Sequence, residues 1–343
     1  MVLVIIADDL TGALDSAAPF AARGLHTEVA LTPNAVKSGI LQAPEVLSIN
    51  LASREKPAED AFRALRQVME TLPSDVILFK KVDSRLKGHI STELDAIPFT
   101  RALVAPAIPA FGRFVREGHV QGFGVSTPIS VANALRHHAE RCSIVDATTD
   151  QDLSDALTHA RAEGIDLFIG ARGLAEALAL EMTGQPMSEL VEPPIGPALF
   201  VIGSHDRITV EQVDRLREME AVSYQPAPNG ILKTVGQPQT FPMLVQAVSG
   251  DTEISSEEVA RNLASSVHPG LTEGARPLLL CGGSTAEAVM ARMGIECFRL
   301  QGECLPGLGL AYADGHCIIA KSGGFGVPET LVTLAEKLQG GRG

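Results

Sequence analysis

The 343-residue chain has no tryptophan and only two tyrosines, a shortage that argues against a surface on which nucleic-acid bases stack. Positive charge is scarce too. The 28 Lys and Arg stand against 41 Asp and Glu, a formal net charge of −13. Sequence-independent binding of DNA or RNA needs cations to neutralise phosphates, so nucleic acid is excluded as the general partner, although a local basic cluster can still serve a small anion. No apolar run approaches the roughly 20 residues of a membrane span, so no membrane partner is expected. Met1 leads straight into a strand-like segment, without the basic lead-in and cleavage site of an export signal. The five cysteines (Cys142, Cys281, Cys297, Cys304 and Cys317) are odd in number and include no C-x-x-C pair, which fits reduced thiols and a cytoplasmic location. What remains is an ordinary globular chain, 45% apolar and 20% charged, long enough for two domains with full cores.

Familiar motifs are missing as well. Neither G-x-x-x-x-G-K-[ST] nor G-x-G-x-x-G occurs, which removes the P-loop and disfavours a nicotinamide dehydrogenase. There is no H-E-x-x-H, and no residues are assigned to a protein-held metal. Ser204-His205-Asp206 has triad residue types, but triads assemble across a fold, and no nucleophile elbow accompanies them. His137 and His138 are neighbours on an expected helix over 131–140, so they should face different ways as surface polar residues.

What is present is an alternation of strand and helix patterns. It implies an α/β fold, with two α/β domains built on largely parallel sheets flanked by helices. Proline-rich residues 184–197 interrupt the pattern and divide a first domain, 1–190, from a second, 198–343. The first domain opens MVLVIIADDLTGALD. Residues 2–6 suit a buried parallel strand, and a small-residue helix is expected over 13–23. Asp8 and Asp9 then lie at a strand's carboxyl end, where open α/β sheets place ligands. Capping by Asp9 or Thr11 is the bland reading, but one cap needs one such residue, and Asp8, Asp9, Thr11 and Asp15 are all here.

A second cluster, KKVDSRLKG, follows the strand expected at 76–79 and carries a local charge of four bases less one acid, +3. If it stays extended, Lys81, Asp83 and Arg85 share one side. Asp83 between cations should keep its charge, which suits an orienting or proton-accepting role. Arg54, beyond a strand at 45–49, could offer a fork to a carboxylate. A third cluster is glycine-rich. Gly282-Gly283-Ser284-Thr285 and Gly323-Gly324-Phe325-Gly326 each follow an apolar strand, Lys321 stands beside the second, and Gly203-Ser204-His205 makes a third such turn. Glycines admit a close ligand, and backbone N–H groups at a helix start favour phosphate oxygens, so these loops point to a nucleotide.

Taken in order, IADDLTGALDSAAPFAARG, Ser53-Arg54, FKKVDSRLKGHISTEL, APAIPAFGR, VDATTDQDL, GARGLAEALA, Gly203-Ser204, CGGSTAEAV, GECLPG and AKSGGFG resemble the four-carbon acid sugar kinase family, from residue 2 to about residue 331. ADDLTG, KKVDS and KSGGFG are the most specific of these motifs. The resemblance implies a two-domain ATP-dependent kinase with its active site in the interdomain cleft, acting at the terminal hydroxyl of threonate, erythronate or a 3-oxo-tetronate. It places Asp8, Asp9, Arg54, Lys81, Val82, Asp83 and Ser84 on the sugar acid. It places Ser204, Gly282, Gly283, Ser284, Thr285, Gly323 and Gly324 on ATP. Mg²⁺ is expected mainly on the ATP phosphates and water. For catalysis, Asp9 or Asp83 is expected to take or orient the hydroxyl proton, and Lys81 to neutralise transferring charge. Asp8 and Asp9 should face hydroxyls, leaving the substrate carboxylate to Arg54 and the lysines. A homodimer is admitted as an assembly. The alternatives are a non-catalytic protein that keeps the fold and binds a sugar acid or nucleotide, and a kinase of another small hydroxy acid. Departures from the family pattern include missing length after about Gln121 and between Tyr224 and Ser249, Ser284 where an acid is usual, and Gly170-Ala171-Arg172 in place of glycine-serine-alanine.

Overall fold

The computed structural model describes residues 1–186, 189–233 and 241–340. Parts of two segments singled out from the sequence, the proline-rich 184–197 and the strand-like 221–249, therefore lie outside the described residues. The chain divides into two compact units, Met1–Ser188 and Glu189–Gly343.

The first unit runs β1 (Leu3–Ala7), α1 (Leu10–Ala21), β2 (Thr27–Ala30), α2 (Val36–Leu41), β3 (Val46–Asn50), α3 (Ala58–Met69), β4 (Ile77–Lys81), α4 (Ile90–Leu94), β5 (Ala102–Ala105), β6 (Arg113–Arg116), β7 (His119–Gly122), β8 (Ile129–Ser130), α5 (Val131–Leu135), β9 (Cys142–Ile144), α6 (Asp150–Ala162), β10 (Leu167–Gly170) and α7 (Arg172–Thr183). Its main strands lie in the order β2-β3-β1-β4-β10-β5-β9, and every neighbouring pair is parallel. Helices cover both faces of such a sheet, so its central strands read as apolar runs. β1 is buried at all five positions. β6, β7 and β8 form a separate antiparallel ribbon.

The strand order fixes where a ligand can sit. The connection leaving β1 runs to β2 on one side, whereas the connection leaving β4 runs to β5 on the other. Adjacent strands whose connections part in this way leave a crevice beyond their carboxyl ends. The residues that fall there are Asp8 and Asp9 after β1, and Lys81 to Ser84 at the end of β4.

The second unit runs β11 (Leu199–Ile202), α8 (Arg207–Arg217), β12 (Ser223–Pro228), β13 (Met243–Val248), α9 (Ser256–Val267), β14 (Leu278–Cys281), α10 (Gly283–Arg292), β15 (Cys297–Leu305), β16 (Leu308–Ala313), β17 (His316–Lys321) and α11 (Thr330–Leu338). The order within it is β12-β13-β11-β14-β17-β16-β15, parallel from β12 to β17 and antiparallel through β16 to β15. A second switch point lies between β11, whose connection runs to β12, and β14, whose connection runs to β15. Gly203-Ser204 and Gly282 to Thr285 occupy it, and Gly323-Gly324 follows the neighbouring β17.

Several sequence expectations change. The hairpin of β15 and β16 was not anticipated, although β15 alternates in burial, with Phe298, Leu300, Gly302 and Cys304 turned inward, while its pairing shifts register twice. Residues 131–140 are not one helix: Arg136, at φ 52°, ends α5, and a 3-10 turn follows. The cap of α6 is Thr149, in a reciprocal capping box with Asp152. Among the described residues no helix is long and apolar enough to cross a membrane.

Candidate active site

Burial sets the chemistry of the first switch point. Asp8 is 3% exposed and turns both oxygens to Arg54, which donates from Nε to Oδ2 at 2.8 Å and from Nη2 to Oδ1 at 2.7 Å. The same guanidinium donates from Nη1 to Oδ2 of Asp9. The other Asp9 oxygen accepts from the backbone N–H of Gly12 at 2.7 Å and caps α1. Cap and site residue are thus one and the same at Asp9. The fork of Arg54, expected to meet a substrate carboxylate, is closed on Asp8 instead, because two buried neighbouring carboxylates need a counter-charge. Gly88, at φ 92°, lets the following loop close on Asp8, since a Cβ there would lie 2.5 Å from Oδ2.

These contacts push the two acids apart. Burial, the largest influence at Asp8, is outweighed by the Arg54 hydrogen bonds together with the charges of Lys80, Arg54 and Lys81, so its carboxyl is held below the usual range. At Asp9 burial prevails over Arg54 and, aided by repulsion from Asp8, raises the carboxyl. One acid is a fixed anion, and its neighbour is the readier proton acceptor.

The KKVDSRLKG run does not stay extended. Oδ2 of Asp83 accepts from the backbone N–H of Arg85 at 2.9 Å and of Lys87 at 3.4 Å, and Leu86 sits at φ 58°. The run therefore folds into a turn beyond Lys81, and Lys81, Asp83 and Arg85 do not line one side. Val82 is buried, with its N–H on the Gly170 carbonyl at 2.9 Å. Ser84 accepts from Nη1 of Arg113. The Asp83 charge acts on both Arg54 and Arg113.

Successive residues of a strand point to opposite faces. Lys80 and Lys81 therefore meet different surroundings. Lys81 is buried, and its Nζ lies 3.0 Å from where a Cβ on Gly12 would stand, over the first turn of α1. Lys80, 1% exposed, pairs with Glu93 of α4 at 2.8 Å. Glu93, Arg113 and Arg172, which pairs with Asp15 at 3.1 Å, were not singled out from sequence as site residues. Only Lys80 had a signal there, since one of two adjacent lysines in a buried strand must turn inward and find an anion.

His137 and His138 do not face different ways. Both Nε2 atoms reach Oδ1 of Asp95, at 3.0 and 2.9 Å, and His138 is buried. With Asp95 they bring three ligand-type atoms within 4.8 Å. However, Nδ1 of His138 lies 2.8 Å from Nη2 of Arg141, which can only donate. His138 Nε2 must then carry the proton and has no lone pair for a metal.

In the second unit, three loops converge. A Cβ on Gly203 would lie 1.9 Å from Oγ1 of Thr285, and one on Gly323 would lie 2.2 Å from Oγ of Ser204. One on Gly282 would lie 3.4 Å from the Ser204 backbone nitrogen. Gly282 is the N-cap of α10 at φ 105°, with no capping side chain, so the first N–H groups of the ten-residue helix, from Gly283, Ser284 and Thr285, are open to an anion. Lys321 is not an exposed charge beside these loops. Its Nζ is buried beneath them and donates to the Ser322 carbonyl at 2.9 Å and to Oγ1 of Thr209 at 3.3 Å. Thr209 in turn donates to the Gly323 carbonyl at 2.7 Å. Burial pushes the Lys321 ammonium down and the Cys281 thiol up. Asp206, read from sequence only as part of a mock triad, caps α8 and would lie 3.6 Å from a Cβ on Gly324.

Each unit resembles a known domain. Residues 3–130 match the sugar-binding N-terminal domain, and residues 228–331 match the nucleotide-binding C-terminal domain. The chain is 28% identical to the D-threonate kinase of Salmonella typhimurium, over 96% of this chain and 97% of that one. It is 25% identical to the 3-oxo-tetronate kinase of Methylobacterium radiotolerans, over 95% and 96% respectively. A D-erythronate kinase of Heliobacterium modesticaldum is 33% identical over 34% of this chain. The fold recurs in a solved Salmonella typhimurium LT2 protein with the provisional name tRNA synthase, at TM-score 0.76 and 19% identity, covering 97% of this chain and 98% of that one. It recurs in a Haemophilus influenzae protein at TM-score 0.70 and 20% identity, covering 98% and 99%. The chain thus combines a sugar-binding and a nucleotide-binding α/β domain. It belongs to the four-carbon acid sugar kinase family.

Proposed function

We propose that this protein is an ATP-dependent kinase that phosphorylates the terminal hydroxyl of a four-carbon sugar acid of the threonate, erythronate or 3-oxo-tetronate type. The observation that carries this reading is the match to D-threonate kinases along nearly the whole of both chains. The two switch-point clusters support it, one of paired charges and one of open backbone donors.

In this reading the sugar acid lies at the first switch point. Asp8, fixed as an anion by Arg54, accepts from substrate hydroxyls. Asp9 takes the proton of the attacking hydroxyl, as burial and the Asp8 charge prepare it to do. Arg54 serves by orienting both acids, and Lys80 spends its charge on Glu93. Lys81 is left to meet developing negative charge, with Val82, Asp83 and Ser84 as the adjoining wall. ATP supplies the phosphoryl group, and Mg²⁺ is held chiefly by its phosphate oxygens and water. Ser204, Gly282, Gly283, Ser284, Thr285, Gly323 and Gly324 receive the phosphates through backbone N–H groups and small hydroxyls.

A coupled ADP-release assay over D-threonate, D-erythronate and the 3-oxo-tetronates tests the reading. Acid-dependent ADP formation is expected with at least one of them. Calorimetric binding of an acid and ATP without ADP release would leave a binding protein instead. The nucleotide site has its own test. Gly203→Ala must push Thr285 away at a cost of about 1–3 kcal/mol, so ATP affinity should fall severalfold or more by calorimetry while sugar-acid binding is kept. Unaltered ATP affinity would remove the 203–204 turn from the site.

A further inference from the structure

We propose that Lys80, Glu93 and Ser53 form a buried positioning unit that holds Asp8, Arg54 and Lys81 in one fixed arrangement for the sugar acid, an inference that rests on the kinase reading above. Lys80 and Glu93 are each 1% exposed. A buried ion pair adds little net stability over apolar side chains of the same volume, so the reason for two charges at this depth lies in what they hold.

The bonds form a closed circuit. An ammonium has three N–H donors. Lys80 directs its Nζ to Oε2 of Glu93 at 2.8 Å, to the Lys81 carbonyl at 3.0 Å and to the Ile6 carbonyl at 3.3 Å. The other oxygen of Glu93 accepts from Oγ of Ser53 at 2.6 Å. The backbone N–H of Ser53 donates to the Asp8 carbonyl at 2.9 Å, and that of Arg54 donates to the same carbonyl at 3.2 Å. The ends of β1, β3 and β4 are thereby fastened to one another and to α4.

Each site side chain is a near neighbour of a member of the circuit. Arg54 follows Ser53, Lys81 follows Lys80, and Asp8 stands two residues beyond Ile6. The three members touch no part of the crevice themselves and act only through those neighbours. Their influence is electrostatic as well. Asp8 is faced by Arg54 from beyond β3, by Lys80 and Lys81 from β4, and by Asp9 on its own loop, and the Lys80 charge helps keep it ionised.

The test is the double variant Lys80→Met with Glu93→Gln, which removes both charges and keeps the volume. It is measured beside the wild type and beside Ser53→Ala, which removes a single donor. The folded double variant should bind ATP as the wild type does, while kcat/KM for the sugar acid falls roughly 10–100-fold through misplaced contacts. The acid limb of its rate profile should move to higher pH as Asp9, which sets that limb, loses the close approach of a misplaced Arg54. Ser53→Ala should show a smaller fall of the same kind, and it decides the question alone if the double variant does not fold. A variant with the wild-type KM, kcat and pH profile overturns the inference, because a merely structural network would leave all three in place. A wild type that releases no ADP with any acid overturns the kinase reading and this inference together.

Discussion

Asp9→Asn is expected to lower kcat for the sugar acid by about 10²–10⁴-fold, the usual contribution of a positioned proton acceptor, and to leave ATP binding unchanged. The substitution isolates the proton. Asparagine caps a helix as well as aspartate does and can still accept from Gly12, so below the pH at which Asp9 titrates the unfolding temperature should barely move. Asp9→Ala is the contrasting variant, since it loses the cap as well, at a cost of about 1 kcal/mol. The pH dependence gives a second reading. Burial, with the Asp8 charge beside it, raises Asp9, so the wild-type rate should fall on the acid side at a pH above that of an ordinary carboxylate. The stability linkage has a definite sign. A carboxyl raised on folding contributes stability that is full below its unfolded value and is lost as pH rises through its folded one. Asp9→Asn should therefore gain on the wild type in stability as pH rises through that window. If ADP release by Asp9→Asn matches the wild type, the proton goes elsewhere, and Asp83 becomes the group to replace.

The second large effect concerns stability. Glu93→Gln alone leaves the Lys80 cation buried without a counter-charge, and Lys80→Met alone leaves the Glu93 carboxylate in the same position. Either single change should destabilise the first unit by about 3–5 kcal/mol, a large fraction of the whole for a typical domain. Removing both charges together should recover most of that loss. Urea unfolding of the two single variants and the double variant measures it. A double variant whose loss equals the sum of the two single losses would mean that the charges do not interact, and would set aside the pair as described.

Much of the fold was legible because a parallel sheet covered on both faces demands apolar strands. β1, β5, β10, β11 and β14 all announce themselves in that way. The hairpin of β15 and β16 did not, since Arg299, Gln301 and Glu303 alternate with its buried residues and leave no apolar run of the kind that marks the parallel strands. At the first site the residue types were readable, but their partners were not. Nothing in the spacing of Asp8 and Arg54 shows that the guanidinium is already committed to the aspartates, or that Glu93, on a short helix, points inward. Those facts depend on which strand ends are brought side by side, and strand order is a long-range property. The glycine loops were readable as anion seats for the opposite reason, because their chemistry belongs to the backbone. The burial of Lys321 under its loop was not readable, because a cation beside a glycine loop looks the same in sequence whether it faces a phosphate or fastens the loop from below.

The pairing of β4 with β10 sets Phe79 against Phe168, Lys80 against Ile169 and Lys81 against Gly170. A slip of β4 by one residue that brought Lys81 to the place of Lys80 would bring Val82 to the place of Lys81. A lysine would still stand beside Glu93, but the crevice would lose its cation. Phe79 would leave its place in the core at the same time, so register here is held by the apolar residues that flank the pair. The functional identity of each lysine is thus stored in its apolar neighbours, and a change at Phe79 could alter the charge of the site while both lysines remain.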